Sequence, residues 1–266
     1  MSEEDHARRD VDLEKPNAAR VYDYILGGQL NYAVDRMFAE QVLAAQPNAR
    51  ERARLNRQWL RRAVRFGLDQ GIRQFLDIGS GMPTVGHVHE VAQAADPKSR
   101  VVYVDNEPVA VAHSEIVLEG NENAAMVHAD AEYPDEVLEH ETTEMLLDLD
   151  QPVMVVMALF VHFIPDERDP ARLIAAYRDA LAPGSYLALS SATYEQQGEG
   201  TSRAVEMYKK SANPVTPRSA DELRALVGGF EIVDPGIVFI PEWRPDGELH
   251  PRPAESGGLA LVARKN

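Results

Sequence analysis

From residue 71 onward the chain alternates short apolar runs with amphipathic stretches. Phe75, Leu76 and Ile78 make the first run, VVYV at 101–104 the second, and Met126-Val127 closes a third. PVMVVMALF from 152, YLALSSA from 186 and GLALVAR from 258 complete the set. Runs that are continuously apolar over so few residues predict strands buried on both faces. Between them, helices are expected from about Val85 to Ala95 and from roughly Pro108 to Gly120. Strand and helix in alternation predict a doubly wound α/β sheet, mostly parallel.

Upstream the period changes. Leu55, Trp59, Ala63 and Phe66 recur at three- and four-residue spacing, which predicts one helix from about Ala49 to Asp69. A short helix is expected from Asn17 to Leu26, broken by Gly27-Gly28, and Asn31 is placed to cap the next, whose Tyr32, Met37, Phe38 and Val42 are partly periodic. The chain therefore divides into a helical extension over 1–70, whose first fifteen polar residues are expected to be disordered, and a sheet domain over 71–266. No internal repeat or low-complexity linker interrupts it.

The chemistry concentrates where the first two strands end. RQFLDIGSGMPT breaks from an apolar run into Gly79, Ser80 and Gly81, a sequence that turns tightly and lets backbone approach a ligand. Asp105 stands at the tip of VVYVDNEP, where an acid can take both hydroxyls of a ribose. The dinucleotide pattern GxGxxG is incomplete, because its third glycine position is Thr84, and no GxxxxGK[ST] phosphate loop is present. Asp77, two residues before Gly79, would repel a pyrophosphate and attract a free ammonium group.

These features resemble the cofactor site of class I S-adenosylmethionine (SAM) methyltransferases, whose cofactor has a ribose, a free amino-acid end and no phosphate. The resemblance implies a Rossmann-like sheet of seven strands and the cofactor-binding set Asp77, Gly79, Ser80, Gly81, Asp105, Asn106, Asp130 and Ala131. Asp130 would bind the adenine amino group by its position after the third strand. Across the chain, PNAARVYDYILGGQLNYAVDR, NRQWLRRAVRF and LAPGSYLALS are similar to an actinobacterial family catalogued as SAM-dependent methyltransferases and formerly a domain of unknown function. Extensions like residues 1–70 commonly close over the cofactor in such enzymes. Arg20, Tyr22, Asn31, Tyr32, Asp35 and Arg36, with Asp23, crowd around the glycine pair and are the candidate lid and substrate contacts.

His162 follows the fourth strand and is the candidate catalytic base, with pocket lining and plain packing as the other readings. His87, His89 and Glu90 suggest no metal site, because positions two apart on a helix point to different faces. The acids from Glu136 to Asp150 lack calcium-loop spacing. MYKKSANPVTPRS and IPEWRP fall where methyltransferases vary their acceptor site; Trp243 either meets a planar acceptor or, as is expected, packs its loop onto the sheet.

Composition narrows the classes. The 266 residues are 44% hydrophobic, enough for a large core, and with no cysteine thiol catalysis and disulfides are excluded. A net charge of -16 disfavours nucleic acid, although Arg50, Arg52, Arg54, Arg57, Arg61, Arg62 and Arg65 share one helix. Those arginines are expected to form a solvated face with stems covering apolar surface. No apolar run reaches a membrane span and the N-terminus is charged, so a cytoplasmic location is expected. The expected function is SAM-dependent methyl transfer to a small-molecule acceptor; a non-catalytic SAM-binding protein and a nicotinamide-dependent reductase are the rivals.

Overall fold

The computed structural model describes residues 11–83, 86–209 and 211–266. Five parallel strands form the body of one sheet: β1 (Gln74–Ile78), β2 (Arg100–Asp105), β3 (Ala124–His128), β4 (Met154–Ala158) and β5 (Tyr186–Ala192). β8 (Gly258–Arg264) runs antiparallel beside β5. The seventh position is split: β6 (Glu231–Ile232) pairs with Arg264 and Ala263 of β8, and β7 (Val238–Phe239) with Ala260 and Leu259. The order is β3-β2-β1-β4-β5-β8-β6, so the winding reverses between β1 and β4. A crevice opens at such a reversal, outside the carboxyl ends of the strands.

Alternation along the strands decides what meets what. Leu76, Ile78, Val102 and Val104 enter one core with Leu173, Ile174 and Tyr177 of α8 (Pro170–Ala180), which follows α5 (Pro108–Val117), α6 (Pro134–Leu138) and α7 (Glu141–Leu146) and lies between β4 and β5. Phe75, Val101, Tyr103, Met154 and Val156 face the other way, onto Trp59, Leu60, Ala63 and Phe66 of α3 (Ala49–Asp69). Asp77 shares the parity of Phe75 and so points to the α3 side. The long helix that sequence assigns to the extension is thus half of the sheet's own core. Val88 and Ala92 of α4 (Val88–Ala95) share that face, and the residues between β1 and α4 include Thr84 and Val85, the third glycine position and the expected helix start, which lie outside the described residues.

A third core joins α1 (Ala18–Leu26), α2 (Ala33–Ala45) and the start of α3 to Met207 and Tyr208 of α9 (Glu199–Tyr208). The α1–α2 corner is clasped by carboxylates. Asp23 accepts from the Leu30 N–H and the Asn31 side-chain amide, both at 2.8 Å, and a Cβ on Gly28 would fall inside its carboxyl group. Asn31 does not cap α2; Tyr32 is the capping position and its N–H donates to Asp35 at 2.9 Å. The reason is that Asn31 is already engaged by Asp23 and accepts from Arg36.

Arg20 ties this corner to the sheet. Its Nε donates to Asp35 at 2.8 Å, its Nη1 to Glu107 at 2.7 Å, and its Nη2 to the carbonyls of Asp12 and Lys15. Residues 11–15 are therefore ordered, contrary to the expectation of disorder, because the Arg20 fork and the Asp12 turn hold them; residues 1–10 lie outside the described residues. No described helix is long and apolar enough to cross a membrane.

With Arg20 1% and Asp35 0% exposed, removing the cation leaves two carboxylates with no charge partner in a dry site. Arg20→Met is expected to cost about 3–5 kcal/mol in urea unfolding. A loss below about 1 kcal/mol would place this network with replaceable surface pairs.

Candidate functional site

The crevice at the winding reversal is a cavity of about 1050 Å³. Ligand pockets usually span about 300–1,000 Å³, so this one holds more than a single nucleoside needs. Asp77, Gly79, Ser80, Gly81, Asp105, Asn106, Asp130 and Ala131 all line it, as do His162 and Tyr22. Asn31, Tyr32, Asp35 and Arg36 do not; they build the corner described above, and Arg20 reaches the lining through Glu107 and the Asp12 carbonyl.

The glycine loop leaves β1 with left-handed backbone at Gly79 (φ 65°) and Gly81 (φ 69°), conformations that favour glycine. At Gly79 a Cβ would also sit 2.5 Å from the Phe160 ring. At Gly81 a Cβ would meet only Ala19, at 3.9 Å, so backbone angle alone demands glycine there. Asp105 sets the loop's position: its carboxylate accepts from the Gly81 N–H at 2.7 Å and the Glu107 N–H at 2.8 Å. An ionised carboxylate has about four acceptor positions, so capacity for two further donors remains. Burial raises its pKa, and those backbone donors oppose the shift.

Asp77 is different. It is 4% exposed, lines the cavity, and has no hydrogen-bond or ion-pair partner among the described residues. Burial pushes its carboxyl up to about 7; the positive charge of Arg57 pulls it down and the negative charge of Asp105 adds to the rise. Such a group favours a cation supplied from the cavity. Beside it the Ser80 hydroxyl and the Arg57 Nε are buried without a partner, and Arg57 spends an Nη2 proton on the Gly86 carbonyl at 3.2 Å. Facing both, these groups suit a ligand that ends in an ammonium and a carboxylate.

Sequence reading missed Arg57, because helical periodicity shows that it is off the apolar stripe and not that α3 lies across the Asp77 face. Arg54 and Arg65 are exposed, as expected of a solvated face, but other arginines of α3 depart from it as Arg57 does. Arg62 is buried and donates to the carbonyls of Trp243 and Ile240, Arg50 donates to those of Tyr24 and Ile25, and Arg52 to Gln197. Trp243, fully buried, packs edge-on to Phe66 at 5.7 Å, the loop-packing role expected of it.

His162 sits past β4 with its Nδ1 accepting from the Ala192 N–H at 3.3 Å. That bond assigns the ring proton to Nε2. Burial lowers its pKa to about 3, and the charge of Arg218 adds to the effect. The ring presents a donor, which is a poor arrangement for a base. His87 and His89 are stacked 5.9 Å apart, not turned to different faces, because His87 is the capping residue just outside the helix. Among the described residues no three His, Cys, Asp or Glu gather to hold a metal ion.

The family model described as S-adenosyl methyltransferase matches residues 4–266. A candidate methyltransferase of Thermobifida fusca shares 37% identity over 96% of this chain and 97% of its own, with a TM-score of 0.91. A DUF574 family protein of Streptomyces avermitilis shares 36% over 96% and 99%, with a TM-score of 0.90. No curated protein that was compared matches the chain.

The Asp77 carboxyl binds its proton more tightly folded than unfolded, so between about pH 4 and pH 7 the folded protein holds the extra proton. Its contribution therefore falls as pH rises through that window. Asp77→Asn is expected to stabilise the ligand-free protein at pH 8 by about 2–4 kcal/mol, with the gain shrinking toward pH 5. Unfolding midpoints that fall in the variant at pH 8 would mean that Asp77 has a cationic partner already.

Proposed function

The chain belongs to the S-adenosyl methyltransferase family, and on that premise we propose that it methylates a small molecule held between the glycine loop and the α1–α2–α9 corner. The observation that carries the cofactor assignment is the unpartnered, buried Asp77 carboxyl lining the cavity one strand end away from Asp105. SAM supplies a methyl group on a sulfonium, already a good leaving group.

In this reading each of the chain's groups has a distinct task. Asp77 ionises and pairs with the ammonium end of the cofactor, while Arg57 takes its carboxylate and Ser80 donates beside it. Asp105 accepts from the ribose hydroxyls with the lone pairs left by Gly81 and Glu107. Asp130, whose Oδ1 accepts from the Glu132 N–H at 3.1 Å, would receive the adenine amino group, with Asn106 and Ala131 lining the same cavity. These roles extend the sequence-based assignment residue by residue and add Arg57.

The acceptor's place is supported by the aromatic part of the lining. Tyr22, Phe160, Phe163 and Tyr208 wall the cavity, and residues of α1, α2 and α9 line it. Such walls help to align two small reactants beside the methyl group, which is most of what such a displacement requires. His162 lines this compartment as a hydrogen-bond donor. The net charge of -16 repels phosphate backbones, which favours a small acceptor over nucleic acid.

Two outcomes are expected with S-adenosylhomocysteine, the demethylated cofactor, in calorimetry. Affinity is level above about pH 7 and falls about tenfold per pH unit below it, since a protonated Asp77 must lose its proton to pair with the ammonium; Asp77→Asn removes that slope. Asp105→Ala weakens binding by about 1.5–3 kcal/mol for each charged hydrogen bond lost. Folded variants with wild-type affinity and pH profile would remove both residues from the site.

A further inference from the structure

Charge of both signs lines the cavity, and two of its cations stand among acids: Arg168 pairs with Glu132, and the charge of Arg57 acts on Asp77. Asp12, Asp77, Asp105, Glu107, Asp130 and Glu132, its acidic lining, come from the N-terminal turn and from the ends of β1, β2 and β3. Arg52 lines it over the other half, against Gly257 at the start of β8 and beside Gln197 and Thr201 after β5. Because the sheet order sets β5 and β8 on the far side of β4 from β1, β2 and β3, this cation stands away from those acids.

Arg52 is incompletely satisfied. Its Nη2 donates to Gln197 Oε1 at 3.0 Å and its Nη1 reaches Thr201 Oγ1 only at 3.4 Å, while its Nε is buried with no partner. No carboxylate pairs with it among the described residues. Glu255, whose charge it feels, is already bound to Arg252 at 2.7 Å. Burial accordingly lowers its pKa. A guanidinium has five donors in a planar fork and keeps its charge, so the group that satisfies it best is a planar carboxylate. The same cavity has an apolar share to its lining, with Val42, Ala204, Val205 and Tyr208 from α2 and α9 and with Phe163 and Pro214.

We propose that the methyl acceptor is a small organic acid, an apolar body carrying a carboxylate that docks on Arg52 and so turns its nucleophilic atom toward the cofactor end of the cavity. The proposal rests on the methyltransferase reading above and specifies its substrate class. Arg57 serves the cofactor carboxylate and Arg52 the acceptor's, five residues apart on one helix.

The test uses the full chain saturated with S-adenosylhomocysteine and matched probe pairs: benzoate and benzamide, naphthoate and naphthamide, phenylbutyrate and its amide. Calorimetry or ligand-observed NMR is expected to show at least one carboxylate binding about tenfold or more tighter than its amide. Arg52→Gln should abolish that preference and Arg52→Lys should keep part of it, with affinity for S-adenosylhomocysteine unchanged in both. Equal binding of acid and amide, binding of no probe at millimolar concentration, or a preference that survives Arg52→Gln would overturn it. A tenfold loss of S-adenosylhomocysteine affinity in Arg52→Gln would instead assign Arg52 to the cofactor. The titration that precedes the probes separates the two levels: a wild-type protein that fails to bind S-adenosylhomocysteine removes the cofactor reading itself, whereas binding without carboxylate preference removes this inference alone.

Discussion

Burying a carboxyl group without a partner is among the least favourable things a fold can do, and among the described residues it is done at Asp77. Strand parity sends this side chain to the face that α3 covers, so the helix that completes the core also determines what Asp77 meets. What it meets is the charge of Arg57 and an open cavity. In the proposed reading the stability forgone at this position returns as affinity for a cationic group, since a ligand that ionises Asp77 relieves the same penalty.

Asp105 makes a second use of a carboxylate. By accepting from Gly81 and Glu107 it joins the loops that follow β1 and β2 into one unit, and Glu107 in turn receives Arg20. A continuous chain of charged hydrogen bonds therefore runs from the cofactor crevice to Asp35 and the turn at Asp12. The α1–α2 corner is tied to the loop after β2 by buried ion pairs, and within it Gly28 lies against Asp23. Substitutions in this corner would act on the site through Glu107 without touching a ligand.

The arginines of α3 show how one pattern can conceal several roles. Helical spacing separates them correctly from Leu55, Trp59, Ala63 and Phe66, yet residues off the apolar stripe are not all exposed when a helix is covered on more than one side. Here β7, the Trp243 loop and α9 cover it too, so Arg62 holds the loop carbonyls, Arg50 ends α1, and Arg52 and Arg57 enter the cavity. The charge pattern of a helix reports on its environment only once its neighbours are known.

Much of the site was legible from sequence because it depends on local backbone rules. A buried strand, two glycines with left-handed backbone and an acid at the next strand end are contiguous features, so Asp77, Gly79, Gly81 and Asp105 were identifiable as neighbours around one crevice before any fold was known. The doubly wound, mostly parallel class followed from strand–helix alternation, whereas the strand order is set only in the tertiary structure. Tertiary structure alone decided which groups approach from far along the chain: Arg57 and Arg52 from α3, Phe160 against Gly79, and Ala192 on the Nδ1 of His162, which makes a candidate base into a donor. It also decided that Asn31, Asp35 and Arg36 build a corner and leave the cavity to others, and that the seventh strand is split in two. Sequence periodicity records how a segment is buried, whereas the identity of the partner depends on which faces the packed sheet brings together.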